Sequence, residues 1–124
     1  MLSIRTDLKQ GLSESTGLEV YFNMPPVDAN VSVPLIILEE KLNSDYAYIH
    51  GEIEIVNLQY DVSIYVDDPM QLFSYMAMID NYCHSVGMRK TYTSGDLYNK
   101  PLWCKQFTYS CRAKQINEDI QILK

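Results

Sequence analysis

From Val56 to Val66 every second residue is apolar: Val56, Leu58, Tyr60, Val62, Ile64 and Val66, with Asn57, Gln59, Asp61, Ser63 and Tyr65 between them. Strict alternation sends the two sets to opposite sides of an extended chain, so the segment predicts a long strand with one buried face, extended backwards by Glu52–Ile55. The period then changes. Leu72, Met76, Ile79, Cys83 and Val86 recur in steps of four and three, the seam of a helix lying on a sheet, and Gly87 follows as its stop. Ile4, Leu8 and Leu12 mark a second amphipathic helix over residues 3–16, with Ser3 as N-cap and Gly17 as terminator. Gly11 lowers the helix propensity at its centre.

The remaining segments are shorter. Leu18–Phe22 alternates and predicts a strand with Leu18, Val20 and Phe22 on one face. Residues 24–33 contain Pro25, Pro26 and Asn30 and predict a loop. Pro34–Leu42 opens on proline and carries Leu35, Ile36, Ile37 and Leu38, a largely buried strand. The polar run LNSDYAYIHG that follows predicts a long turn or excursion. Met88–Thr93 predicts a strand, Ser94–Pro101 a turn-rich loop, and Leu102–Ala113 a long strand. Trp103, Phe107, Tyr109, Cys111 and Ala113 share one face of it, and Lys105 on that face belongs near an edge. Lys114–Lys124 holds Ile116, Ile120, Ile122 and Leu123 without a firm period, which suits a flexible or partner-bound tail. The order α-β-β-β-α-β-β predicts a single α+β domain over residues 1–124: a mostly antiparallel sheet with two helices packed on one face.

A chain of 124 residues with 47% apolar side chains is sized for one core. No apolar run approaches the roughly 18 residues that span a bilayer, and Asp7 and Lys9 interrupt the start before a signal-peptide core could form. A soluble protein made in a cytoplasm is expected. The cysteines fit: Cys104 and Cys111 on one strand lie ~23 Å apart, beyond the reach of a disulfide. Cys83 sits on the helical seam, so reduced structural thiols are expected.

Charge changes the picture more. The net charge of −6 divides into −10 over residues 1–87 and +5 over residues 88–114, with −1 in the last ten. An acidic protein is a poor general binder of nucleic acid. An acidic body with a basic later segment suits contact with an oppositely charged partner, or with further copies head to tail.

Residues 65–68 read YVDD, the tetrapeptide of the metal-binding turn of reverse transcriptases. There the two aspartates occupy a hairpin turn, and a third carboxylate completes the metal site. Here Pro69 and a helix follow. Asp68 is placed as N-cap, Pro69 at N1, and Gln71 at N3 as in a capping box, while Asp67 lies beside the positive helix end. A metal-dependent enzyme using Asp67 and Asp68 is the least favoured reading, and no cofactor is expected. Cys83 and His84 point about 100° apart on a helix and make a poor metal pair. The scattered glycines build no phosphate-cradling loop. Glu39 and Glu40 face opposite ways on a strand, whereas Glu52 and Glu54 share a face that suits solvent or a basic partner.

The ten tyrosines include several at polar positions, Tyr46, Tyr48, Tyr65 and Tyr98, and exposed tyrosine is enriched at protein interfaces. Tyr46, Tyr48, His50, Glu52 and Glu54 around Asn43–Gly51, with Arg89, Lys90, Tyr98 and Lys100 in and after the basic strand, are the interface candidates.

The succession of an amphipathic helix, "VYFNMPP", "VPLIILEE", "EIVNLQYDVSIYVDD", a helix ending at Gly87 and strands around "TSGDLYNKPLW" resembles the tail terminator, or tail-to-head joining, proteins of long-tailed bacteriophages over residues 1 to about 113. The resemblance implies a non-enzymatic virion protein, assembled in the host cytoplasm and located at the tail–head neck. It implies a homomeric ring, generally a hexamer, that caps the tube of major tail protein and meets the head connector, with DNA passing through the lumen without specific binding. Another neck protein, such as a head–tail adaptor or minor capsid protein, is the alternative.

Overall fold

The computed structural model describes residues 4–23, 33–49, 53–95, 97–99, 102–116 and 119–123. Their order is α1 (Arg5–Thr16), β1 (Glu19–Phe22), β2 (Leu35–Ile49), β3 (Ile53–Val66), α2 (Met70–Ser85), β4 (Arg89–Thr93), β5 (Leu97–Asn99), β6 (Leu102–Ile116) and β7 (Asp119–Leu123). The strands form one sheet in the order β1-β2-β3-β6-β4. β3 pairs one side of β6 along its whole length, so β5, β4 and β7 follow one another along the other side. Among the described strands, only β1 and β2 run parallel. This is the expected α+β arrangement with a mostly antiparallel sheet.

Both helices lie on one face, because a single core joins them to alternate residues of the strands. Leu8 and Leu12 of α1, with Leu72, Ile79 and Cys83 of α2, pack with Val20, Ile36 and Leu38 and with Val56 through Val66 at every second position. Phe107, Tyr109 and Ala113 complete it from β6. Every even-numbered residue of β3 from Val56 to Val66 is buried, as the alternation demands.

The helix ends follow their sequence signals. Asp68 Oδ1 accepts the Met70 N–H at 3.0 Å, and Leu72 N–H reaches Pro69 O at 3.2 Å. With Pro69 in the helical region (φ −62°, ψ −21°), Asp68 is the N-cap in function. The reciprocal half of the capping box is missing, since buried Gln71 Oε1 accepts no hydrogen bond. At the other end Met88 N–H bonds Cys83 O and Gly87 N–H bonds His84 O, with Gly87 at φ +96°. That is a complete Schellman ending with Met88 buried beneath it. Gly17 closes α1 the same way in simpler form, at φ +74° with its N–H on Ser13 O; Ser3 lies outside the described residues. Gly11, unfavourable for the helix by itself, sits where α1 meets α2: a methyl built on it would collide with the hydroxyl end of Tyr82, whose Oη reaches Asp7 O at 3.4 Å.

Three segments depart from expectation. Leu97–Asn99, expected inside the turn-rich loop Ser94–Pro101, forms β5 by pairing with Leu102–Cys104 of β6; the other two are longer. The run from Leu42 to Ile49, expected as a turn or excursion, continues β2 as a partner of β3 down to Ile49 opposite Ile53. Register shifts between Glu40 and Leu42 and between Asp45 and Ala47 take up the two extra residues Lys41 and Tyr46. Residues 119–123, whose pattern assigns no element and suits a flexible or partner-bound tail, form β7 on the end of β6. In both, cross-strand backbone pairing to a long neighbour holds the strand, a term invisible to single-segment periodicity. Lys105 lies between the β5-paired stretch and the β4-paired stretch of β6, a break along that edge, as its place on an apolar face required. Among the described residues no helix is long and apolar enough to cross a membrane.

Candidate functional site

The topology turns a division along the sequence into a division across the sheet. β1, β2 and β3 carry Glu19, Glu39, Glu40, Asp45, Glu54 and Asp61 against the single base Lys41. β4, β6 and β7 carry Arg89, Lys90, Lys105, Arg112 and Lys114 against the single acid Asp119. One lateral half of the sheet is acidic and the other basic. At ~4.8 Å per strand, β2 and β4 lie ~14 Å apart. That exceeds the ~8–10 Å screening length at moderate salt, so the two edges present separate fields to a partner.

The interface candidates divide accordingly. Tyr46 is the extra residue of the second irregularity in β2, and Tyr48 stands opposite Glu54 at the far end of the β2–β3 hairpin. Arg89 and Lys90 begin β4, whose five residues are all exposed. Tyr98 belongs to β5, is 55% exposed, and packs at a tilt against Trp103 with ring centroids 4.8 Å apart. His50, Glu52 and Lys100 lie outside the described residues. Among the described residues, the candidates therefore lie on strands at two lateral sides of the sheet.

Lys90 does more than present charge. Opposite Tyr109 in register, it turns towards α2, donates to Asp80 Oδ2 at 2.8 Å, and lies 5.6 Å from the centroid of the Phe107 ring. The Tyr109 hydroxyl donates to the other oxygen of Asp80. Burial, then this hydrogen bond, raise the Tyr109 hydroxyl far above its ordinary value. The group ties the basic edge strand to the helix and holds Tyr109 protonated at any physiological pH.

The face away from the helices carries a polar ladder. Lys41 Nζ binds Glu39 at 2.8 Å and approaches Asp61 at 4.0 Å, while Thr108 donates to Asp61 at 2.8 Å. The hydrogen bond and charge of Glu39 raise the Lys41 ammonium. Glu40 faces the other way and accepts from the Tyr60 hydroxyl at 2.7 Å, so the adjacent glutamates form no couple. Beside the ladder Leu35, Ile37, Ser63 and Cys104 are buried, and burial followed by the neighbouring Cys104 pushes the Tyr65 hydroxyl up to about 12.

Among the described residues no group of three His, Cys, Asp or Glu side chains is placed to hold a metal ion. Asp68 is engaged in capping, Cys83 is buried, and its neighbour His84 is exposed. Burial pushes the Cys83 thiol up to about 12 and Cys111 to about 11, the opposite of an activated nucleophile.

The most exposed large apolar side chains outside the sequence candidates are Met70 (81%), Phe73 (74%) and Tyr92 (57%). Met70 and Phe73 fall off the helical seam that fixes the buried face of α2, which was the available signal. Tyr92 follows Arg89 and Lys90 in a strand too short to show a face by periodicity. No protein-family model matches the chain, and no curated protein sequence matches it.

Proposed function

We propose that the protein is a structural ring subunit of a phage tail–head neck, a tail terminator that caps the tail tube and meets the head connector. The observation that carries the reading is the opposite charge of the two lateral halves of one sheet. Like-charged edges repel, so two copies meeting edge to edge through the same surface are disfavoured, while acidic edge to basic edge is attractive. Contacts between two different surfaces propagate, and they close into rings when the rotation permits. The element order that resembles the tail terminators, now with both helices on one sheet face, supports the same reading. The subunit number is expected to be six.

The test is assembly. Mass measurement in solution, with electron microscopy of mixtures with purified tail tubes, should reveal closed rings seated at tube ends and tubes that stop lengthening. A strict monomer at high concentration in both low and high salt, together with tubes that grow as if the protein were absent, would overturn the proposal.

A further inference from the structure

Among the described residues, two of the unpaired edges of the sheet carry opposite charge. β1 covers the outer side of β2 only from Leu35 to Leu38, and beyond Leu38 no strand pairs with that side of β2 among the described residues. This open stretch begins with Glu39 and Glu40. On the other side, among the described residues β4 is paired on its β6 side alone. It reads Arg-Lys-Thr-Tyr-Thr and is exposed throughout. Such an edge is a template for strand addition, and the positive charge of Arg89 at its start guards it against a second β4, Lys90 being held by Asp80. The acidic start of the open β2 edge guards that edge against a second β2 in the same way. The pairing left favourable is β4 of one copy with β2 of another.

Strand direction agrees. β2 is antiparallel to β3, β3 to β6, and β6 to β4, so β2 runs opposite to β4. Copies set side by side about an axis along the strands keep their directions. β4 therefore meets the next β2 antiparallel, the more stable ladder, and the alternation of the sheet continues through the seam. Faces agree as well. Arg89 stands opposite Ser110, which lies opposite Gln59, on the face away from the helices. Glu39, opposite Asp61, is on that same face.

We propose that neighbouring copies join by edge-to-edge pairing of β4 with β2, with Arg89 of one copy against Glu39 of the next, so that one sheet runs through the assembly. This rests on the ring reading and specifies its interface. The wild-type protein, Arg89→Glu, Glu39→Arg and the double variant are compared by sedimentation, with circular dichroism to verify folding. Arg89→Glu should raise the concentration for half-assembly by on the order of tenfold or more, because like charges then face each other across the seam. The double variant should restore assembly. As a second measurement, mixing Arg89→Cys with Glu39→Cys should give an intermolecular disulfide under mild oxidation, since directly opposed residues lie ~4.5–5.5 Å apart. The native thiols, raised by burial, should stay out of it. Rings that form equally well with Arg89→Glu and give no cross-link would overturn this interface and leave the ring reading standing. Absence of any assembly by the wild-type chain would overturn both.

Discussion

Replacing Gly11 with alanine should destabilise the protein even though alanine is the better helix former, and removing one neighbour should reverse the sign. In an exposed helix the change stabilises by ~1 kcal/mol. Here the added methyl would occupy the space of the Tyr82 hydroxyl end. The ring must move, straining its packing against the core and breaking its 3.4 Å contact with Asp7 O. Overpacking of this kind costs ~1–3 kcal/mol, so the net effect is a loss of about 1 kcal/mol. In a Tyr82→Ala background the obstacle is gone and Gly11→Ala should gain ~1 kcal/mol. Urea unfolding followed by the fluorescence of Trp103, the sole tryptophan, measures all four proteins. The double-mutant cycle should return a coupling of ~1–3 kcal/mol. If Gly11→Ala stabilises equally in both backgrounds, the approach of α2 is not what requires glycine at position 11.

Other consequences follow from the same structure. Asp68→Ala should lower stability by ~1 kcal/mol in thermal or urea unfolding, and Asp68→Asn by much less, because asparagine also caps. Gly87→Ala should cost ~1–2 kcal/mol, since φ +96° lies where a Cβ is strained. Asp80→Ala, which strands the buried Tyr109 hydroxyl, should cost ~1–3 kcal/mol, and the companion Tyr109→Phe in the Asp80→Ala background should recover part of it. Alkaline pH should weaken the fold. Cys83 and Cys111 rise from 9.0 to about 12 and 11, and Tyr65 from 10.0 to about 12. Above pH 9 the unfolded chain therefore releases protons that the folded one retains, and stability falls from there through about pH 12. Unfolding midpoints measured across that range test it; a flat profile would contradict the burial of these groups.

The legible parts of the fold were those in which one segment carries its own pattern. β3 announced itself through six alternating apolar residues, α2 through a four-three seam, and the helix ends through Asp68, Gly17 and Gly87, because burial of one face and capping of a terminus are local demands on side-chain type. Even the exception at Lys105 could be placed at an edge, since a charge on an apolar face must reach solvent. The far half of β2, β5 and all of β7 were not legible. Their residues are polar or without period, and they are strands because β3 and β6 are long enough to offer them backbone partners.

The candidate surface divides along the same line. That acid precedes base along the chain, that Glu39 and Glu40 face apart, and that the aspartates of YVDD stand at a helix start all follow from charge count and local geometry. That β6 inserts between β3 and β4, which carries the basic segment to one side of the sheet and leaves the acidic strands on the other, emerges only from the folded sheet. That placement is set by long-range strand pairing around a shared core, and no local pattern encodes it. The same holds for the meeting of Asp80, Lys90 and Tyr109, drawn from a helix and two strands, and for Gly11, whose place in a helix makes sense only with Tyr82 lying across it.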